Sequence, residues 1–175
     1  RYSGSGKDPK MAAMPEGDID RKLRTITLAS GEKPLTRLHF YATHPQTFCC
    51  DGVVSSDFVG QAREALEAEE KIPQIYFTGC SGDVTVGKYN DTSLKARQDL
   101  GARLLAALRA SAAATRYEPV GAVGWRSALL PLPKRNQGAW EPGKLKALTE
   151  SADADGQQRY KAAIALAYAR RSEPF

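Results

Sequence analysis

Two alternating runs around a four-residue turn constrain the fold first. LRTITLAS (23–30) and LTRLHFYAT (35–43) are rich in β-branched and aromatic residues, and GEKP between them supplies Gly31 and Pro34. That pattern predicts a β-hairpin. The apolar period then changes. In SSDFVGQAREALEAEE (55–70), Val59, Ala62 and Leu66 recur at helical spacing behind Ser56 or Asp57 as a cap. PQIYF (73–77) predicts a short buried strand. Residues 92–115 predict the clearest helix, with Leu100, Leu104 and Leu108 in one stripe and Thr92 or Ser93 as its cap.

Further along, VGAVGWRSALLPL (120–132) predicts a strand with Trp125 in the core. Residues 136–143 predict a loop exposing Trp140. Helices follow at 143–152 and 156–171, with Tyr160, Ile164 and Tyr168 on a packed side. Residues 1–20 read as an irregular lead-in. The order β-β-α-β-α-β-α-α implies an α/β domain, a mixed β-sheet flanked by helices. Residues 1–175 read as part of a single such domain. The start at Arg1 and the featureless end at Phe175 read as the bounds of a segment of a larger catalytic domain.

Composition narrows the function classes. No apolar run approaches the roughly 20 residues of a membrane span. The net charge is +5, but the cations are scattered, as at Arg21, Lys22 and Arg24, or Arg170 and Arg171. This reads as a solvated surface, and no nucleic-acid partner is expected. The three cysteines, Cys49, Cys50 and Cys80, contain no CxxC pair, so a cysteine zinc cluster is not expected. One bridge from Cys80 to Cys49 or Cys50 remains open. The carboxylates fall mostly on helix surfaces and give no glycosidase-type acid pair.

Sites in α/β sheets gather at the loops leaving the carboxyl ends of strands. Two such loops carry polar residues here: THPQTFCCDG (43–52) and TGCSGDVTVGKYND (78–91). The second fits the phosphate-loop spacing G-x-x-x-x-G-K at residues 82–88. However, Tyr89 follows the lysine instead of Ser or Thr, and YNDTS precedes any credible helix cap. A nucleotide-binding reading therefore meets two of four requirements. In the first loop, His44 has either of two readings, a metal ligand or a hydrogen-bonded structural histidine. The only other histidine, His39, lies inside a predicted strand at the opposite parity and reads as a packed, satisfied residue.

Taken together, YATHPQTFCCDGVVSSDFVGQA and IYFTGCSGDVTVGKYN resemble the histidine segment and the Gly-Asp-Val-Ser-Pro-Asn segment of the neutral, or non-lysosomal, ceramidases. The closest likeness is to divergent ceramidase-like proteins of environmental bacteria. The resemblance covers about 50 residues, from Leu38 to Asn90. It implies a zinc-dependent amidase acting on the N-acyl bond of ceramide-like lipids. In that reading His44 is a zinc ligand, and Thr85 stands where the family has a nucleophilic or zinc-proximal serine. Asp83 orients a ligand or proton carrier, and Gly82, Val84 and Asn90 belong to the substrate and oxyanion loop. Ser56 and Asp57 match a Ser-Asp pair with a structural role. The family's remaining zinc ligands have no match here, so they are expected from the rest of the polypeptide or a companion chain. A secreted or periplasmic setting is also implied. The alternative is a ceramidase-like module that binds lipid or glycan without turnover.

Overall fold

The computed structural model describes residues 2–48, 52–130 and 135–171. The chain divides into two compact units, Arg1–Val120 and Gly121–Phe175. In the first, the lead-in is more ordered than its composition suggests. It contains a 3₁₀ turn at Ser5–Lys7 and a short helix α1 (Pro9–Ala13). Asp8 starts α1 by accepting from Lys10 N–H at 2.9 Å, and Pro9 has the fixed φ that suits a first helical position.

The hairpin forms as predicted. Strands β1 (Arg24–Ser30) and β2 (Lys33–Tyr41) pair antiparallel through a turn in which Gly31 has φ +60°, a left-handed value that favours glycine. Helix α2 (Asp57–Glu70) crosses over to β3 (Gln74–Thr78), which pairs with β2 in parallel. The result is a three-stranded mixed sheet in the order β1-β2-β3, flanked by helices, an α/β fold. Helix α3 (Leu94–Ala113) follows, capped by Ser93, whose hydroxyl accepts from Ala96 N–H at 3.0 Å. Of the two candidate caps it is Ser93 that serves, while Thr92 takes a left-handed φ of +67°. The predicted stripes meet: Phe58, Val59, Ala62 and Leu66 of α2 bury against Leu100, Leu104 and Leu108 of α3, with Val86 beside them.

The sheet turns its polar side to these helices. Arg37 of β2, 5% exposed, makes two hydrogen bonds to Glu70 of α2, at 2.7 and 3.1 Å, and also reaches Thr27 and Thr115. His39 is fully buried, as a packed residue should be. Its Nε2 lies 2.8 Å from the Gln74 side-chain oxygen, which can only accept. Nε2 therefore carries the proton, and Nδ1 accepts from the Thr25 hydroxyl at 2.8 Å. Ser111 of α3 in turn donates to Thr25. The opposite face of the sheet is apolar and open. Ile26, Leu28, Ile75 and Phe77 are exposed, and Phe40 stacks on Phe77 with centroids 4.9 Å apart. Strand β3 is therefore not the buried strand its apolar run suggests; only Gln74 within it is buried.

The neutral, directional wiring of His39 sets a pH dependence. Burial lowers its pKa, and the nearby Arg37 lowers it further, while the Gln74 hydrogen bond and Glu70 oppose them. The unfolded chain, with a histidine pKa of about 6.5, then binds the proton more readily than the folded one. Stability is complete above that pH and falls as the pH drops toward the depressed folded value. Urea midpoints should decrease between about pH 7.5 and 5.5, above the usual carboxylate range. His39→Gln should flatten that decrease; an unchanged slope in the variant would show that another group titrates.

The second unit contains a 3₁₀ turn at Gly138–Trp140, α4 (Pro142–Glu150) and α5 (Gly156–Arg170). Asp155 and Gln158 cap α5 reciprocally, at 2.7 and 3.1 Å. Its core is Leu145, Ala162 and Leu166. Three expectations need correcting here. Residues 120–130 form no strand, and Trp125 is 91% exposed rather than core. Period-two alternation becomes a strand only where a neighbour supplies ladder hydrogen bonds, and Gly121 and Gly124 weaken the segment further. Residues 131–132 of that expected strand lie outside the described residues. The face of α5 bearing Tyr160, Ile164 and Tyr168 is exposed, because Ala162 and Leu166 are the residues that pack with Leu145 of α4. Trp140 is exposed as expected, with the Arg135 guanidinium 5.5 Å from its ring centre. Cys80 is exposed, and the suggested partners Cys49 and Cys50 lie outside the described residues.

Candidate functional site

Because β2 and β3 run parallel, their carboxyl ends lie side by side, and the two polar loops leave from the same edge of the sheet. They touch. His44 and Thr85 form an isolated parallel β-bridge, and His44 N–H reaches the Val84 carbonyl at 3.3 Å. The His44 ring turns the same way: Nδ1 lies 3.0 Å from the Val84 oxygen. A carbonyl only accepts, so in the neutral ring Nδ1 holds the proton and Nε2 keeps its lone pair. Among the described residues no hydrogen bond engages Nε2. Metal-binding histidines are commonly oriented in this way, with one ring N–H fixed on a carbonyl.

The loop carrying His44 is anchored at Asp57. Asp57 is 6% exposed, and its carboxylate accepts from Thr47 N–H at 2.9 Å, the Thr47 hydroxyl at 2.6 Å and Phe58 N–H at 2.7 Å. Arg97 of α3 lies 3.9 Å away and also donates to the Thr47 hydroxyl. These bonds hold Asp57 at φ +57°, a left-handed value uncommon for a residue with a side chain. Asp57 of the Ser-Asp pair thus has a structural role, while Ser56 makes no side-chain cap hydrogen bond to α2.

Asn90 has a related task. It is fully buried, its amide donates to the carbonyls of Ser3 and Thr47 at 2.7 and 2.8 Å, and its oxygen accepts from Thr92 N–H. It ties the lead-in and both loops together from behind and has no face toward open space. The lead-in fits because glycines allow close approach. A Cβ on Gly87 would lie 2.1 Å from the Tyr2 carbonyl oxygen, and one on Gly6 would lie 2.5 Å from that of Asn90. The Ser3 hydroxyl thereby enters the site. It accepts from Thr85 Oγ1 at 3.2 Å and donates to the Gln46 side-chain oxygen at 2.8 Å.

A cleft of about 640 Å³ opens beside this loop, lined by the consecutive residues Asp83, Val84, Thr85 and Val86. Leu23, Tyr41, Phe58, Leu100 and Leu104 form apolar lining, while Glu16, Arg21, Lys88, Tyr89 and Arg103 bring polar groups. Gly82 and Asp83 are exposed at the turn. Sequence reasoning brought together His44, Thr85 and the 82–84 turn. It missed Ser3, Gln46 and the Glu16–Tyr89–Arg103 group, because these meet the loop only through long-range folding.

The phosphate-loop geometry does not form. Residues 87–89 make a single 3₁₀ turn, α3 begins only at Leu94, and Lys88 donates to the Met14 carbonyl at 3.1 Å. For zinc, the single imidazole is well oriented but the donor set is incomplete. Among the described residues no group of three His, Cys, Asp or Glu side chains could hold a metal, whereas a catalytic zinc normally takes three protein ligands. Also among the described residues, no helix is long and apolar enough to cross a membrane. No family model matches the chain, and neither a curated protein nor a solved structure matches it.

Proposed function

We propose that this chain carries part of the centre of a ceramidase-like amide hydrolase acting on N-acyl lipids. The observation that carries the reading is the junction of the two loops: the carbonyl-fixed His44 ring, whose Nε2 no hydrogen bond engages among the described residues, and Thr85, which is bridged to His44 and lines a partly apolar cleft that His44 itself does not line. In this reading His44 is the zinc ligand that the described residues supply. The further ligands come from elsewhere in the polypeptide or from a companion chain. The apolar lining takes the acyl chain and excludes water from it. The turn at Gly82, Asp83 and Val84 presents the scissile amide to Thr85, whose hydroxyl is oriented by Ser3 and Gln46.

The Thr85 proton is donated to Ser3, so the hydroxyl offers its lone pairs to the reacting carbonyl, and losing a reacting group held in position costs roughly a hundredfold or more in turnover. Thr85→Ala should therefore slow amine release from N-dodecanoylsphingosine by about that factor, and Thr85→Ser should retain it. A Thr85→Ala chain as fast as the parent would remove the hydroxyl from the reaction.

A further inference from the structure

We propose that Lys88, Tyr89 and Arg103 form an anion-binding site on the cleft, and that the preferred substrate is an N-acyl amide bearing a carboxylate or phosphate on its amine side. The inference deepens the amide-hydrolase reading by naming a substrate class. Its binding test stands without turnover.

Tyr89 is the centre of the cluster. The Arg103 guanidinium sits 4.4 Å from its ring centre and the Lys88 ammonium 5.9 Å. Among the described residues neither cation has an ion-pair partner. Its hydroxyl donates to the Glu16 carboxylate, and Arg21 lies 3.7 Å from the other Glu16 oxygen. One carboxylate thus sits on the Tyr89 hydroxyl, within range of the Arg21, Lys88 and Arg103 charges, while Lys88 itself donates to the Met14 carbonyl at 3.1 Å. The Glu16 carboxyl is held below its usual range, first by the Tyr89 hydroxyl and then by the charges of Arg21, Lys88 and Arg103.

Glu16 is a replaceable occupant. It belongs to an exposed stretch of the lead-in, and its ion-pair partner Arg21 is 73% exposed, against 34% for the Glu16 side chain. Exposed ion pairs contribute little, and a ligand anion that accepts from the same Tyr89 hydroxyl replaces the hydrogen bond Glu16 gives up. Apolar lining in the same cleft binds the chain of such a ligand, and the charge-assisted bonds choose its head. Asp18 and Asp83 also line the cleft, but among the described residues neither pairs with these cations.

The test is calorimetric titration of the full chain with two ligands sharing a chain and an amide, N-dodecanoylglycine and N-dodecanoylethanolamine. N-dodecanoyl phosphoethanolamine serves as the phosphate-bearing probe. The glycine conjugate should bind about tenfold tighter than the ethanolamide, the size of one good charge-assisted hydrogen bond. Arg103→Gln combined with Lys88→Gln should erase that preference. Glu16→Gln, which removes the competing carboxylate, should strengthen glycine-conjugate binding several-fold and leave the ethanolamide unchanged. Tighter binding of the phosphate probe than of the glycine conjugate would assign the anion to a phospholipid-type head, and the reverse to a carboxylate. Equal affinities in the parent, or a preference that survives the double substitution, would overturn the site. Hydrolysis of the ethanolamide without any charge preference would overturn it while leaving the hydrolase reading. A charge preference without hydrolysis of either ligand would leave the site and remove that reading.

Discussion

His44→Ala is expected to abolish amide turnover while leaving the protein folded. The ring is only partly buried, and its loss removes one donor to the Val84 carbonyl, which still accepts from the residue-44 N–H at 3.3 Å. The stability cost should be about 1 kcal/mol, the net contribution of one such bond. The effect on turnover should be far larger. Disturbing even the outer partners of a metal ligand costs about 10- to 100-fold, so removing His44 from its proposed role as a ligand should exceed that. His44→Asn separates the two roles of the ring. Its amide can still donate to Val84 but offers no lone pair in the Nε2 position. Activity should stay lost in His44→Asn, and recovered activity there would reduce His44 to a loop brace. Circular dichroism and a urea midpoint near the parent's would confirm that the fold is intact.

Glu70→Ala should have the largest effect on stability. Glu70 is the only ion-pair partner of Arg37 among the described residues, and the Arg37 side chain is 6% exposed. Without it, a guanidinium remains buried between the sheet and α2 with only the Thr27 and Thr115 hydroxyls as acceptors. The Gln74 amide, which donates to the same carboxylate at 2.9 Å, is left with only the Ile72 carbonyl at 3.4 Å, and Gln74 is what fixes His39. Breaking a buried pair in this way costs about 3–5 kcal/mol, whereas replacing both charges by apolar groups is often close to neutral. Urea unfolding should show that loss in Glu70→Ala and recover most of it in Arg37→Met with Glu70→Leu. A loss under about 1 kcal/mol in the single variant would mean that the pair behaves like an exposed one.

The elements that sequence reveals well are those whose pattern is local. The hairpin, α2 and α3 follow from period two, helical stripes and the Ser93 cap. The meeting of His44 with Thr85 was legible for a related reason: both loops leave the ends of predicted strands, and a helical crossover makes those strands parallel. What failed depended on partners. Ile75 and Phe77 look like core residues, yet the side facing α2 and α3 is the one carrying Arg37, His39 and Gln74. Hydrophobicity alone does not say which face a sheet buries when a polar network can be fully hydrogen-bonded. Trp125 fails similarly, since a strand pattern contains no information about whether an edge is available to it. Ser3 was invisible because it reaches Thr85 across 82 residues, through contacts that Gly87 and Gly6 permit. The cleft's cationic end was likewise hidden. Glu16, Lys88 and Arg103 come from a lead-in, a loop turn and a helix that share no sequence pattern.

The most direct measurement is amine release from N-dodecanoylsphingosine by the longest purifiable form of the protein, supplied with zinc and then with excess chelator. The account predicts steady release that stops on chelation and returns when zinc is restored. No release from the zinc-supplied protein, or release that chelation leaves unchanged, would contradict it.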